Sequence, residues 1–242
     1  MNEYLHYISK LKIACSKKNL DFLKIGNVNK NYPLYKIVIN GYNARKTICF
    51  SSGIHGHEKS GPLTILQFIN NLNRYDLPLY LKIIIFPVAN PYGFNTNSRY
   101  NYQKKDLNRC FCNPQKLLTE NKYLLKSLYN EKIFFFHALH DDCDEKYFYL
   151  YAYNKNNEAI YRKIVNKVSQ FFPIRHMKKM YGKVASQGIF MDHEDGSFEH
   201  KMYLEHTPYS ICTEIPGKTK TDLKIRCNLD IIDFIIRFSS NR

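Results

Sequence analysis

The feature that most constrains the fold is the run KIFFFHAL at positions 132–139. Its residues are apolar on both alternating faces, which is typical of a strand that helices cover on two sides. A strand of this kind lies in the middle of a sheet, because an edge or half-exposed strand alternates apolar with polar residues. Further segments with strand character lie at 46–53, 79–88, 147–153 and 209–215.

Segments with helical spacing of apolar residues alternate with these strands. An N-terminal helix carries Leu5, Ile8 and Leu11 on one side, and further helices are predicted from about Pro62, at 157–171 and at 221–238. This alternation indicates an α/β protein: a three-layer α/β/α sandwich with a central mixed, mostly parallel sheet. No linker or repeat interrupts the pattern, so residues 1–242 are interpreted as one domain.

Charge and cysteine content limit the function classes. The formal net charge is +15, but the lysines are dispersed and no run of five like charges occurs, so no specific nucleic-acid partner is expected. No apolar stretch approaches the roughly 18 residues that span a bilayer, and no signal peptide is recognisable. Seven cysteines without framework spacing favour reduced thiols. A cytoplasmic protein without a membrane partner is therefore expected, and its oligomeric state stays open.

The first candidate site motif is the H-x-x-E pair formed by His55 and Glu58. It follows a predicted strand and precedes a predicted helix, with glycines at 53, 56 and 61 that permit a sharp turn. An imidazole nitrogen and a carboxylate three residues apart in such a turn can bind one cation, and zinc accepts both ligand types. Alone, the pair is a weak signal. His57, between them, is expected to point elsewhere.

The second motif is His140, which ends the apolar run and is followed by Asp141 and Asp142. A polar group at the end of a buried strand lies at the rim of the sheet, where sites of α/β proteins collect. His140 could supply a third metal ligand beside the H-x-x-E pair. One of the two aspartates could orient it by a hydrogen bond.

Two further motifs add charged groups. The segment Asn90–Phe94 is followed by Arg99 and by the run Asp106–Arg109, and arginines can clamp a carboxylate or stabilise an oxyanion. Glu214 lies inside the apolar strand 209–215. A carboxylate there needs a partner. It could exchange a proton with water beside a metal, or it could belong to a structural ion pair.

Together, in this order, the motifs resemble the M14 family of zinc metallocarboxypeptidases, over roughly residues 33–217. The resemblance implies the fold described above and one bound zinc ion, held by His55, Glu58 and His140. It is closer to the smaller bacterial-type members than to the secreted digestive ones. The implied reaction is hydrolysis of the C-terminal amide bond of a peptide.

The resemblance also implies roles for the remaining motif residues. Arg99 would polarise the scissile carbonyl, and Asn108 and Arg109 would hold the terminal carboxylate of the substrate. Glu214 would be the general base and acid. The substrate partner is therefore expected to be a peptide or acyl amino acid with a free carboxylate.

Other functions fit parts of the pattern. Deacylases of the aspartoacylase/succinylglutamate desuccinylase type share the zinc motif and the D-L-N-R run, and a peptidase or amidase acting on cell-wall peptides would also meet a carboxylate. Basic nucleic-acid binding and an inactive scaffold are the alternatives outside hydrolysis. Nothing in the sequence distinguishes the three hydrolytic substrates.

The stretch 175–208 is the least interpretable part of the site. A substrate-capping tyrosine, which many members of the family carry, could be Tyr181 or Tyr203, and neither is assigned. His193, His200 and His206 form a loose group, interpreted as a solvated or substrate-lining loop in preference to a second metal site. Several acids in this stretch hint at a basic substrate: Asp192, Glu194, Asp195 and Glu199.

Overall fold

The structure is a computed structural model, and it describes residues 2–73, 80–176, 179–180 and 183–240. The strands are β1 (Asp21–Val28), β2 (Tyr32–Asn40), β3 (Lys46–Ser52), β4 (Leu81–Phe86), β5 (Ile133–Asp142), β6 (Tyr149–Tyr153), β7 (Lys179–Met180), β8 (Lys183–Val184), β9 (Ile189–Met191) and β10 (Tyr209–Pro216). The α-helices are α1 (Glu3–Lys17), α2 (Ser60–Asn71), α3 (Pro91–Thr96), α4 (Thr119–Lys126), α5 (Glu158–Val168), α6 (Phe198–Leu204) and α7 (Thr221–Ser240).

Eight of the strands form one mixed sheet in the order β1-β2-β4-β3-β5-β10-β6-β9. The four central strands, β4, β3, β5 and β10, are mutually parallel. Antiparallel pairs join β1 to β2, β2 to β4 and β6 to β10, and β9 adds in parallel to β6. The predicted α/β fold with a mixed sheet is confirmed. The carboxyl ends of the parallel strands meet at one edge, and the site lies there.

Strand β5 lies between β3 and β10, and nearly all of it is buried, as its apolar run predicts. It continues through Asp142, so His140 is part of the strand and does not follow it. Helices cover both faces of the sheet. One core contains residues of α1, α2, α5 and α7, and the other contains residues of α4 and α6, including Leu124, Phe198 and Met202.

The sequence analysis did not predict strands β1, β2, β7, β8 and β9 or helices α3, α4 and α6, and the other differences lie at element ends. The buried face of α1 is formed by Tyr4, Tyr7, Ile8 and Leu11, whereas Leu5 is 44% exposed. Residue 79, the first of the predicted strand 79–88, lies outside the described residues. Among the described residues, no helix is both long and apolar enough to cross a membrane.

Candidate metal centre and active site

The H-x-x-E motif forms the turn that joins β3 to α2. Gly53 has φ +62°, a left-handed conformation that glycine adopts without strain. A side chain at Gly56 would overlap the backbone of Gly93, so the turn packs directly against the start of α3. Asn90 stabilises this contact, because its side chain accepts a hydrogen bond from the Gly93 N–H (2.9 Å) and donates one to the Ile54 carbonyl (3.2 Å). The motif Asn90–Phe94 therefore supports the ligand turn.

The three predicted metal ligands lie close together at this turn, which His140 reaches from β5. Glu58 lies between the two histidines: its Oε1 is 2.6 Å from His55 Nδ1, and its Oε2 is 2.9 Å from His140 Nδ1. Ligand atoms of the three residues all lie within 4.8 Å of one another, and each residue is at most 5% exposed. His140 Nδ1 is buried without a hydrogen bond of acceptable geometry. This donor set fits a zinc ion, which takes nitrogen and carboxylate oxygen ligands.

Electrostatics favour a cation between these groups. Burial alone would lower the pKa of His55, but the neighbouring carboxylates of Glu58 and Asp106 raise it to about 9. Burial raises the pKa of Glu58, and His55 and His140 more than offset this effect, so that it falls well below the usual range. The carboxylate is therefore ionised, and the field that retains a proton on His55 also attracts a metal cation.

Glu214 lies beside His140 because their strands are neighbours in the sheet. The two residues are Cα partners in the parallel ladder of β10 and β5. Burial, together with the negative charges of Glu58, Asp142 and Glu199, raises the pKa of Glu214 well above the usual range, while His140 lowers it. A carboxyl group in this environment holds a proton more readily than one in water, which suits a group that must accept a proton and return it.

Asp106 is the acid that orients a predicted metal ligand. Its Oδ1 lies 3.2 Å from His55 Nε2, and its Oδ2 accepts two hydrogen bonds from Arg99, at 3.0 Å from Nε and 2.8 Å from Nη2. The remaining Arg99 nitrogen, Nη1, is 3.4 Å from His55 Nδ1. The guanidinium of Arg99 thus faces the same space as the ligand atoms.

Asp141 and Asp142, considered as orienting groups for His140, make other contacts. Asp141 accepts a hydrogen bond from the Ser60 hydroxyl and lies 3.7 Å from Lys224 Nζ in α7. Its backbone N–H donates to Glu58 Oε2 (3.2 Å). Asp142 accepts a hydrogen bond from the Tyr149 hydroxyl (2.6 Å). Asp141 therefore supports Glu58 through its backbone, since its side chain faces α7.

Asn108 and Arg109 form a short 3-10 turn after the Arg99 loop. Asn108 is 3% exposed, and its Oδ1 accepts a hydrogen bond from the Phe198 N–H at the start of α6 (3.0 Å). Arg109 Nη1 donates to the Asn108 carbonyl (2.8 Å) and lies 3.0 Å from Asp195 Oδ2. The side chain of Arg109 is 41% exposed and borders the cavity.

A cavity connects these groups at the carboxyl edge of the sheet. All seven predicted site residues line it. The cavity is also lined by Asp195 and Glu199, which the sequence analysis named among the acids that hint at a basic substrate. The sequence analysis gave no role to three other lining residues, Tyr149, Tyr151 and Cys212, or to Asp106, which contacts His55. The spacing of Cys212 and Glu214, two residues apart on one strand, was the signal that could have placed Cys212 on the same face.

The described residues contain a second group of possible metal ligands, formed by His140, Glu199 and Cys212. It shares His140 with the first group. His193, His200 and His206 do not form such a group within the described ranges: His193 stacks on Tyr151, and His200 stacks on Tyr153.

Of the two tyrosines considered for the capping role, the structure describes only Tyr203, which is not among the residues that line the cavity. Tyr203 stacks on Tyr153 and is 36% exposed. Tyr181 lies outside the described residues. His57, which was expected to point away from the metal, borders the cavity but belongs to neither possible ligand group.

Residues 44–147 match the catalytic domain of the succinylglutamate desuccinylase/aspartoacylase family. This range contains the H-x-x-E turn and His140, together with Arg99, Asn108 and Arg109. Glu214 lies outside it. No curated protein matches the chain in sequence.

Solved structures share the fold over almost the whole chain. A proposed metallopeptidase from Shewanella amazonensis superposes with a TM-score of 0.89 at 22% identity, covering 98% of this chain and 93% of the other. A proposed metallopeptidase from Shewanella baltica gives 0.87 at 20%, covering 98% and 92%. A metallo-carboxypeptidase from Pseudomonas aeruginosa, in complex with (2-guanidinoethylmercapto)succinic acid, gives 0.79 at 12%, covering 98% and 69%. The resemblance that the motifs indicate is supported: the fold is that of the zinc carboxypeptidase-like proteins.

Proposed function

We propose that this chain, zinc carboxypeptidase-like in fold and similar to the succinylglutamate desuccinylase/aspartoacylase catalytic domain over residues 44–147, is a zinc-dependent metallocarboxypeptidase. It would hydrolyse the C-terminal amide bond of a peptide. The observation that carries the proposal is the convergence of the buried ligand atoms of His55, Glu58 and His140, with Glu214 on the neighbouring strand. A purely structural cluster would not need a carboxylate between two histidines that opens into a cavity.

One zinc ion would be held by His55 Nδ1, the Glu58 carboxylate and His140 Nδ1. His140 Nδ1 is buried, and its 2.9 Å contact with Glu58 Oε2 does not have the geometry of a good hydrogen bond, which supports this assignment. Zinc supplies Lewis acidity that lowers the pKa of a water molecule to about 7 and polarises a carbonyl group. Asp106 would hold His55 in the tautomer whose Nδ1 lone pair faces the metal, since His55 Nε2 donates its proton to Asp106.

Glu214 would take the proton of the attacking water on its carboxylate and deliver it to the leaving amine. Arg99 would place its Nη1 near the carbonyl oxygen as negative charge develops there, because its other donors are fixed by Asp106. These two residues flank the ligand atoms, so attack and charge stabilisation would occur at one point.

Asn108 and Arg109 would bind the free carboxylate of the substrate. The Phe198 N–H already donates a hydrogen bond to Asn108 Oδ1, so Asn108 would bind the substrate carboxylate through its amide nitrogen. The guanidinium of Arg109 offers several donors in one plane, which suits two carboxylate oxygens. Together they would fix the bond to be cut at the metal, because the carboxylate sets the distance from the end of the substrate.

A deacylase of N-acyl amino acids is the second candidate, and the family match over residues 44–147 is the observation that favours it. Its substrate also carries a free carboxylate on the amino acid that is released. The same Asn108 and Arg109 contacts would serve both reactions. The two candidates differ in the group on the far side of the amide, which is a peptide in one case and a small acyl group in the other.

The deciding experiment is a substrate screen with zinc-loaded protein. The panel contains blocked dipeptides with free C-termini, N-acetyl and N-succinyl amino acids, and muropeptides. We expect hydrolysis of the blocked dipeptides, with at least a 1,000-fold lower kcat in Glu214→Gln, on the order of what general acid–base catalysis contributes. Unchanged activity in Glu214→Gln would refute the mechanism. Hydrolysis of acyl amino acids alone would select the deacylase.

A further inference from the structure

Two buried polar residues in the first turn of α4 have no role in the proposed mechanism. Glu120 and Asn121 are both 0% exposed, although acidic and amide side chains are rarely buried completely. Neither lines the cavity at the carboxyl edge of the sheet. Burying such groups costs folding free energy unless hydrogen bonds compensate, so their partners indicate what the two residues hold in place.

The partner of Glu120 is Asn101, which is 1% exposed. Asn101 Nδ2 lies 3.3 Å from each carboxylate oxygen of Glu120. On its other side, Asn101 Oδ1 accepts hydrogen bonds from the backbone N–H groups of Gln103 (3.0 Å) and Lys105 (3.1 Å). Glu120 therefore fixes the turn that directly follows Arg99.

The partner of Asn121 is the backbone of the 3-10 turn that follows. Asn121 Nδ2 donates a hydrogen bond to the Leu107 carbonyl (3.2 Å). Asn121 Oδ1 accepts one from the Leu118 N–H (3.1 Å), which holds the amide in place at the start of α4. Leu107 begins the turn that carries Asn108 and Arg109, so Asn121 fixes that turn.

The two contacts act on opposite ends of the segment 99–109. Arg99, at its start, is the group proposed to stabilise the charge that develops in the transition state. Asn108 and Arg109, at its end, are the groups proposed to bind the carboxylate of the substrate before and during the reaction. An interaction made only in the transition state changes kcat, whereas one made equally in the ground state changes KM.

We propose that these adjacent residues of α4 position the two functions of the segment separately: Glu120 positions Arg99, and Asn121 positions Asn108 and Arg109. Both are positioning residues, since neither touches the substrate or the metal. The first turn of α4 thus acts on turnover and on substrate binding through independent contacts. The inference rests on the proposed function, from which the roles of the three positioned residues are taken.

A purely structural role of the pair is the competing interpretation. The bond between Asn121 and the Leu118 N–H stabilises the start of α4 whether or not the neighbouring turn is fixed. Loss of structure alone would change kcat and KM in the same way in variants of either residue. Asn121→Asp retains an acceptor for the Leu118 N–H and removes the donor to Leu107, so it tests the positioning contact without the capping contact.

The test measures steady-state kinetics of zinc-loaded variants on the best substrate of the panel. Glu120→Gln replaces one of the two acceptors of the Asn101 amide by a donor, and kcat should fall about 2- to 10-fold with KM unchanged, as for the loss of one hydrogen bond. Asn121→Asp should raise KM by a similar factor with kcat unchanged. The control is Asn113→Asp, the same change at an exposed position that retains the acceptor for the Gln115 N–H, and it should alter neither parameter.

Exchange of the acid and the amide provides a rescue. In the double variant of Asn101→Asp with Glu120→Gln, an amide again faces a carboxylate. The carboxylate at position 101 can still accept from the N–H groups of Gln103 and Lys105. We expect kcat to return close to the wild-type value, whereas Glu120→Gln alone stays low. Zinc content should be the same in all of these variants.

Hydrogen exchange of single amides separates this inference from the proposed function, because it requires no substrate. In Glu120→Gln, the N–H groups of Gln103 and Lys105 should exchange faster, and that of Cys110, which donates to the Leu107 carbonyl, should not change. Asn121→Asp should give the reverse pattern. If these patterns are seen but no substrate of the panel is cleaved, the proposed function fails and the separate positioning of the two turns stands.

Two outcomes overturn the inference. One is a change of kcat and KM by the same factors in Glu120→Gln and Asn121→Asp, or no change in either. The other is exchange that is faster across the whole segment 99–109 in both variants, or unaltered in both.

Discussion

The two sides of the cavity are built differently. The side that we propose to bind the metal, the metal side, consists of His55, Glu58 and His140, which are each at most 5% exposed and are supported by the central parallel strands β3 and β5. The substrate side consists of Arg109, Asp195 and Glu199, which lie in a short turn, a loop and the first turn of a small helix. The proposed metal ligands therefore lie on or directly beside the central strands, whereas the groups proposed to contact the substrate lie on peripheral segments that can change without disturbing the sheet.

Replacement of a ligand on the metal side should have the largest effect. Glu58→Gln keeps the shape of the side chain but removes the charge between the two histidines, so zinc affinity should fall by more than about 100-fold, more than a supporting residue costs. Activity should be lost with the zinc. Metal analysis after dialysis at fixed free zinc measures this, and Glu205→Gln at the exposed end of α6 is the control. One zinc retained per chain in Glu58→Gln would refute the assignment.

A change on the substrate side should spare the metal. Arg109→Met removes the guanidinium, and kcat/KM should fall about 10- to 100-fold, mainly through KM, with zinc content unchanged. Steady-state kinetics and metal analysis of the same samples measure both. Because the variant leaves Asp195 without its partner, Arg109→Met with Asp195→Asn is the matched control. A loss of zinc in both variants would contradict the division between the two sides.

A substitution of Asp106 tests the division between the metal side and the substrate side, since Asp106 contacts both His55 and Arg99. Asp106→Asn should lower zinc affinity about 10-fold, the low end of the range for a residue that supports a ligand. Competition with a chelator of known affinity measures the change. Asp144→Asn removes an exposed carboxylate at the rim of the same cavity and should leave the affinity as it is. Equal effects of the two variants would show that net charge, and not the bond to His55, is responsible.

The last expected effect is on stability and concerns the sheet under the metal side. His137 is fully buried in β5, 2.8 Å from the Thr213 hydroxyl, and burial, with a lesser contribution from His140, lowers its pKa to about 3. The unfolded chain binds a proton near pH 6.5, so between about pH 6.5 and 3 it binds more protons than the folded chain. Stability should therefore fall as the pH falls through this window, by at most about 1.4 kcal/mol per pH unit from this residue.

Urea unfolding of the zinc-free protein at several pH values measures that slope. His137→Gln keeps a group able to bond Thr213 and has no proton to gain, so its stability should depend less steeply on pH. His6→Gln, at an exposed position of α1, is the control. Identical slopes in the wild type and His137→Gln would show that other groups cause the acid sensitivity.

The sequence predicted the metal side better than the substrate side for a physical reason. His55 and Glu58 are three residues apart in one turn, and His140 and Glu214 lie on strands whose apolar runs are easily recognised. Asp141 and Asp142 were considered as orienting groups for His140 because they are adjacent to it in sequence, and their side chains contact Ser60, Lys224 and Tyr149. Asp106 reaches His55 only after the loop that follows α3 returns to the sheet, and no local pattern encodes that return.

The substrate side and the sheet edge depend on such long-range contacts. Glu199 borders the cavity because α6 packs on β5 and β10, so its sequence neighbours gave only the hint of a basic substrate. Strand β1 was missed since it is largely exposed and its sequence, DFLKIGNV, mixes polar and apolar residues without strict alternation, so the apolar pattern that identified the central strands is weak there. Strand β2 was also missed, although it contains the buried run 37–39.

The contact between Gly56 and Gly93 has a consequence for protein engineering. The backbones of Gly56 and Gly93 are in direct contact, so no side-chain replacement can change the spacing between the H-x-x-E turn and the start of α3. The two segments, residues 53–62 and 90–99, therefore form one structural unit. A design that transfers the proposed zinc centre to another scaffold has to include both segments in their present relative position. A redesign of substrate preference can keep this unit unchanged.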